Sequence, residues 1–517
     1  MEYRPVTGVW EVTMGCNMRC KHCGSSCTHP LPDELTTAEA LDLCDQIADL
    51  GLHWITLSGG EPLTRPDWPQ LVRRLREKGV IPNMITNAWL CDEAAIATAR
   101  ENGIGTMAIS FDGPEDVHDF MRRPDSFRRC AEAFQTMSRY GVTSGAITTV
   151  SRKNIERLAE IKEILIGLGV RYWQMQIGLP MGNLKHNEYM VMHPEDVDHI
   201  IDFTYQHVDD NRIFVYPADC LGYYNQKESK IRQKISTSSS PSLWRGCNAG
   251  KRSLGILHNG DILGCTSIRD REFIEGNIRQ RPLREIWEDK NSFRWSRGMR
   301  KSDLAGECRT CQYGEDCLGG CPNTRLTMKK SIYSENEYCS YNVALKKADS
   351  LLAPIADSAT LLSTARSLAS RGETQLAAKA LERLLAKDAD NLEGLLLFGF
   401  LSFSLGNFSD CRMANEQAIV LSPDNPYAHK GLGLALHRLD ETEQGLEHLH
   451  KAAALSGPDD MDAYHDLAVI CLETGRQAEA REVLDRARQM TPAFAHVNPH
   501  LYMAAQIIAP PPVHAQA

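Results

Sequence analysis

The cysteines carry the chemistry of this 517-residue sequence, because of how unevenly they are spaced. Of 17, Cys16, Cys20, Cys23 and Cys27 crowd the start. Cys308, Cys311, Cys317 and Cys321 crowd the middle, with Cys247 and Cys265 before them and Cys339 after. The first residues (MEYRPVTGVWEV) lack a basic region followed by an apolar run, so no secretory signal is read there. The cysteines are therefore expected in a reducing cytoplasm, where clustering points to metal or redox chemistry rather than disulfides. Cys16-x3-Cys20-x2-Cys23 places three thiolates on one loop. Such a set can hold three irons of a four-iron cluster and leave the fourth open to a small molecule. Zinc is the competing reading; it prefers four ligands, and Cys27 could supply the fourth, so spacing alone leaves both open.

The elements that must position these residues follow from periodicity. Strand candidates are 9–14, 54–58, 83–86, 106–110, 144–150 and 172–177, separated by amphipathic stretches such as 36–51 and 68–79 that close on glycine. Six strands with helical crossovers predict a parallel α/β sheet, open or curled into a partial (βα)6 barrel. Reactive residues then belong on the loops after the strand C-termini. Those loops begin with Gly15-Cys16, Gly59-Gly60-Glu61, Asn87, Phe111-Asp112, Ser151-Arg152 and Gly178, so the unusual chemistry falls on one face.

GCNMRCKHC after the first strand, SGGEP after the second and SFDGPEDVHDFMR after the fourth resemble the radical S-adenosylmethionine (radical SAM) superfamily over residues 8–215. The resemblance implies that Cys16, Cys20 and Cys23 ligate a 4Fe-4S cluster whose open iron binds the amino and carboxylate groups of SAM. One electron would then cleave SAM to methionine and a 5′-deoxyadenosyl radical. Gly59, Gly60 and Glu61 would meet the methionine amino group. Ser110 and Arg122 match positions near the ribose and carboxylate, and Asp112 is placed with them. Glycines permit close backbone approach, while Glu61 and Arg122 complement the two ends of an amino acid. Cys27 lies outside the motif and is read as packing.

Residues 216–345 lose the βα rhythm. A polar linker (226–242) leads to two apolar runs around Asn259-Gly260, a hairpin signal. The seven cysteines from Cys247 to Cys339 resemble the SPASM extension of peptide-modifying radical SAM enzymes. That resemblance implies two auxiliary 4Fe-4S clusters, one on Cys247, Cys265 and Cys321, the other on Cys308, Cys311, Cys317 and Cys339. The first set lacks a fourth cysteine, leaving its last site open or filled by another donor. Sulfatase maturases of this family carry an aspartate directly after the second SPASM cysteine. Thr266 and Ser267 stand here, which ranks that reaction low, with Asp270 or Asp219 as substitutes. Cys44, Cys91, Cys130, Cys220, Cys411 and Cys471 are expected to be small buried hydrophobes, Cys220 least firmly because it lies in the aromatic loop CLGYY.

After residue 350 the chain repeats. Gly372, Gly406, Asp440 and Gly475 align at spacings of 34, 34 and 35, the period of the tetratricopeptide repeat. Gly399, Gly433 and Ala468 mark the first helices, Ala418, Ala452 and Ala487 the second, and the uncharged stretch 394–409 reads as a buried first helix and its turn. The expected organisation is therefore a barrel (1–215), a cysteine-rich α+β SPASM domain (216–345), about four all-α repeats forming a solenoid (350–500) and a disordered tail (501–517). A formal charge of −10 argues against nucleic acid, and no stretch suits a membrane span. The catalytic base is not identified.

The expected function is a cytoplasmic radical SAM/SPASM maturase that abstracts hydrogen from a ribosomally made peptide to form a thioether, carbon–carbon or ether crosslink. Its cofactors are three 4Fe-4S clusters and SAM, and its electron donor a flavodoxin or ferredoxin. With only 15 residues before Cys16, no leader-gripping domain is expected ahead of the barrel. Peptide docking is therefore expected on the repeats or on a separate small protein, the other role open to the repeats being dimerisation or bracing of the barrel. The alternatives are an oxidoreductase acting on a small molecule such as a tetrapyrrole, sugar or alcohol, whose repeats recruit a carrier or partner, and a scaffold with a degenerate enzyme domain.

Overall fold

The computed structural model describes residues 3–218, 220–225, 227–235 and 244–507. The chain forms two compact units, Met1–Arg309 with Tyr313–Ala344, and Leu345–Ala517 with Thr310–Gln312. The first combines the regions expected as barrel and SPASM domain.

Its centre is a parallel sheet of β1 (Thr7–Thr13), β2 (Trp54–Gly59), β3 (Ile81–Thr86), β4 (Thr106–Ser110), β5 (Thr143–Val150) and β6 (Tyr172–Ile177), paired in sequence order. The six expected strands all form, but the sheet does not stop there. β7 (Phe214–Pro217) pairs parallel to β6 on one edge. On the other, β8 (Ser253–Ile256) pairs parallel to β1, then β9 (Asp261–Leu263) and β10 (Gly276–Asn277) follow antiparallel. The expected Asn259-Gly260 hairpin is thus β8–β9, and it extends the same sheet. Periodicity missed this because β7 to β10 have only two to four residues each, too few to show alternation.

Helices close the crossovers. In Thr37–Leu50, Thr36 and Glu39 form a capping box and Gly51 ends the helix at φ 92°. Leu43, Ile47, Trp10, Val12, Ile55 and Leu57 share one apolar core between helices and sheet. The polar stretch expected as a linker contains helix Glu228–Ile235. Residues 236–243 and Asp219 lie outside the described residues.

The second unit holds four helix pairs, from Ser358–Ser370 with Thr374–Leu385 to Asp462–Glu473 with Gln477–Met490. Gly372, Gly406, Asp440 and Gly475 turn each pair at φ 66° to 77°. The uncharged stretch from 394 lies mostly in helix Leu392–Ser404, which is not buried all round: Phe398 and Leu401 face the core, but Phe400 is 54 % exposed. Residues 501–507, expected in a disordered tail, belong to helix Pro499–Ile507, where Leu501 and Ala505 pack against the last repeat; 508–517 lie outside the described residues. Among the described residues no helix is long and apolar enough to cross a membrane.

Candidate functional site

Four sheet loops converge on the loop that follows β1. After β2, Gly60 N donates to Thr13 O at 2.7 Å and Glu61 N to Gly15 O at 2.8 Å. After β3, Asn87 Nδ2 lies 3.9 Å from Cys16 Sγ and donates to Asn17 Oδ1 at 2.8 Å. After β4, Arg122 Nη1 lies 3.8 Å from Cys20 Sγ. After β6, Asn183 N donates to Cys23 O at 2.8 Å and its Nδ2 to Cys20 O at 2.9 Å, while Asn187 Nδ2 reaches Lys21 O at 3.1 Å. Glu34 folds the loop back, its Oε1 accepting from Met14 N, Thr13 Oγ1 and Leu31 N.

The structure brings Cys16, Cys20 and Cys23 within reach of one another's charge. Burial pushes the Cys16 thiol up and the Cys20 thiol up to about 11, and each neighbouring thiol adds to the rise. Thiolates here need a metal to offset desolvation. Cys27 is buried with Sγ 3.8 Å from Met14 Sδ, and its thiol is pushed up to about 12, mainly by burial. Among the described residues no three His, Cys, Asp or Glu side chains converge as a single ion requires. Thiolates of a four-iron cluster bind different irons and need no such convergence.

Glu61 is fully buried, and its carboxylate is anchored by three hydrogen bonds: Oε1 accepts from Thr86 Oγ1 at 2.8 Å and Leu63 N at 3.2 Å, Oε2 from Asn87 N at 2.7 Å. The glycines serve a backbone approach of the protein to itself. A Cβ on Gly59 would lie 2.3 Å from Thr13 O, and one on Gly60 2.1 Å from Gly15 O. Ser110 ends β4 half-buried. Asp112, entirely buried, takes Arg122 Nε on Oδ2 at 2.6 Å, Thr149 N on Oδ1 at 3.0 Å, and lies 3.3 Å from His22 Nε2. Despite the penalty of burial, the Arg122 guanidinium and the two histidines His22 and His118 hold Asp112 down at about 2.

Sequence reasoning missed several residues of this site. Asn183 and Asn187 carried no signal beyond a polar loop after β6. Glu11 alternates with Trp10 and Val12 on β1, and a lone acid in an apolar strand was the available sign. It pairs with Arg269, which also donates to Ser25 Oγ at 2.6 Å and so ties the first cysteine loop to the segment after Cys265. Glu11 Oε2 is buried without a partner. Asp270, one of two substitutes considered for the missing aspartate after Cys265, is exposed.

The other cysteines interleave. Cys265 is close enough to Cys321 and Glu11 to feel their charge, and burial raises its thiol. Cys247 Sγ accepts from Ala249 N at 3.4 Å. Tyr223, buried in the CLGYY loop, accepts from Cys321 N on its hydroxyl at 3.1 Å, and its carbonyl lies 4.0 Å from Cys339 Sγ. One tyrosine therefore touches a member of each expected auxiliary set. Cys308 Sγ lies 3.7 Å from Asn342 Nδ2. Cys308, Cys311, Cys317 and Cys339 are buried. So are Cys44, Cys91, Cys130, Cys411 and Cys471, whereas Cys220 is half-buried.

Comparison with known proteins matches residues 10–165 to the radical SAM superfamily, 247–312 to an iron–sulfur cluster-binding domain (SPASM) and 438–493 to a tetratricopeptide repeat. An AdoMet-dependent heme synthase of Methanosarcina barkeri is 29% identical over 346 residues, 65% of this chain and 97% of its own. The mycofactocin maturase MftC of Mycolicibacterium smegmatis is 26% identical over 325 residues, 61% of this chain and 78% of its own. Among solved structures, Streptococcus suis SuiB bound to S-adenosylmethionine shares the fold, with TM-score 0.53 and 17% identity over 65% of this chain and 77% of that one.

Proposed function

Because the chain belongs to the radical SAM enzymes and carries a SPASM domain with tetratricopeptide repeats, we propose that it crosslinks a ribosomally made peptide by removing hydrogen from it. A cluster on Cys16, Cys20 and Cys23 supplies, when bound, the reductive cleavage of SAM into methionine and a 5′-deoxyadenosyl radical. The protein's part is to hold and shield. Glu61, anchored by Thr86, Leu63 and Asn87, keeps acceptor capacity on Oε2 and would meet the amino group together with the backbone of Gly59 and Gly60. Arg122, fixed by Asp112, presents positive charge beside Cys20 for a carboxylate. Cys247, Cys265 and Cys321 would hold one auxiliary cluster and Cys308, Cys311, Cys317 and Cys339 the other. Both would lie ready to take the electron released as the new bond closes, and a flavodoxin or ferredoxin would supply the first electron.

The observation that carries the peptide reading is the repeat unit. On its first helices, Phe400 is 54 % and Tyr427 36 % exposed, apolar surface of the kind that grips an extended chain. The test incubates the anaerobically reconstituted enzyme with SAM, reductant and synthetic peptides from short reading frames beside its gene. Loss of two hydrogens from one peptide, weakened by Phe400→Ser with Tyr427→Ser while SAM cleavage persists, is expected. Turnover of no peptide rejects the reading.

A second reading, modification of a tetrapyrrole, is favoured by the heme synthase match across 97% of that relative's length. An iron-porphyrin altered under the same conditions, with peptides untouched, selects it.

A further inference from the structure

We infer that Arg325 is the built-in counter-charge of the auxiliary cluster centre and makes that centre easier to reduce. The inference rests on the auxiliary clusters proposed above. Arg325 lies one turn after Cys321 in helix Pro322–Lys329 and is completely buried. Its Nη2 donates to Leu318 O at 3.1 Å and lies 3.7 Å from Met299 Sδ. Nε and Nη1 have no partner. Among the described residues no carboxylate pairs with the guanidinium; the ionisable groups whose charge reaches it are Cys308, Cys321, Cys317 and Tyr223. Gly319, at φ 77°, makes room for it, since a Cβ there would lie 2.8 Å from Nη1.

A buried cation without a counter-ion is among the costliest arrangements a fold can contain. Neutral thiols do not offset it. Cysteines that have become cluster ligands do, because their charge is negative whatever the redox state of the irons. The guanidinium is within electrostatic reach of cysteines from both expected sets, Cys321 of the first and Cys308 and Cys317 of the second. Positive charge there favours the more negative, reduced form of whichever cluster it faces. Asn342, beside Cys308 Sγ, and Tyr223, whose hydroxyl accepts from Cys321 N, are neutral and cannot replace it.

The experiment is a potentiometric EPR titration of reconstituted full-length enzyme, wild type against Arg325→Lys, Arg325→Gln and Arg325→Met, with iron and sulfide content measured for each. The wild type must first carry about twelve irons; fewer would refute the auxiliary clusters themselves, a failure distinct from that of this inference. Given those clusters, the Gln and Met variants are expected to shift at least one auxiliary midpoint negative by tenfold or more in the reduction equilibrium, about 59 mV for one electron. Lys should keep most of the wild-type value. Failure of Gln and Met to load clusters that Lys loads also supports the inference. It is overturned by unchanged midpoints in Gln or Met, or by Lys failing alongside them, which would make the guanidinium's shape rather than its charge the requirement.

Discussion

Arg122 Nε donates to Asp112 Oδ2 at 2.6 Å, an ion pair largely withdrawn from solvent whose other end lies against Cys20. The sequence separates the two by ten residues on one motif; only the fold shows that each is committed to the other. Asp112→Asn leaves the guanidinium buried without its counter-charge, a change that costs about 3–5 kcal/mol. A fall of that size in anaerobic urea denaturation, with weaker SAM binding, is the expected outcome. Arg122→Met combined with Asp112→Asn should recover part of the stability but none of the binding.

His118 offers a pH test. Its Nδ1 accepts from Asp112 N at 3.1 Å, and burial lowers it from the usual value of 6.5 to about 3. The unfolded chain takes up this proton near pH 6.5 and the folded one does not. The histidine's contribution is therefore complete above that pH and drains away as pH falls toward 3, by about 1.4 kcal/mol per unit. Urea midpoints from pH 7.5 to 5 should decline, and His118→Gln should flatten that decline.

Gly60 and Gly167 make a matched pair. An added Cβ at Gly60 meets Gly15 O at 2.1 Å, whereas at Gly167 nothing lies within 4 Å. Gly60→Ala should cost about 3 kcal/mol, at the upper end for overpacking, and separate the SGGEP turn from the cysteine loop. Gly167→Ala, at the end of helix Leu158–Gly167, should be neutral or stabilise by up to about 1 kcal/mol. Thermal melts of the two variants distinguish them.

Glu11 and Arg269 form a second tie between β1 and the cysteine-rich region. Arg269→Met should destabilise by about 3–5 kcal/mol by leaving a buried carboxylate alone. Adding Glu11→Gln should restore most of that loss. Equal stability of the single and double variants would show that Glu11 has another counter-charge.

In the repeats, a Cβ on Gly433 would lie 2.7 Å from Gly445 O, and one on Gly445 2.7 Å from Gly433 O, so the two glycines let neighbouring helices touch backbone to backbone. Gly433→Ala should cost about 1–3 kcal/mol. Circular dichroism should show the helical unit melting earlier, with iron content of the first unit unchanged.

The sequence determined the ligand chemistry and the element types. Thiol spacing on a loop, the glycine-closed helices and the 34-residue period are local properties, and each is set by a few neighbouring residues whose conformations the chain cannot avoid. The six strands with long crossovers were legible for the same reason. What only the tertiary structure decided is long-range. Strands of two to four residues at the sheet edges have too little pattern to announce themselves and form only because β1 and β6 offer open edges to pair with. The Glu61 carboxylate is anchored by Thr86 and Asn87 from the next strand and its loop, partners that sequence spacing does not reveal. Asn183, Glu11 and Arg325 are ordinary residues in the sequence. Placement beside the cysteines gives them their importance, and that placement is a property of the packed chain.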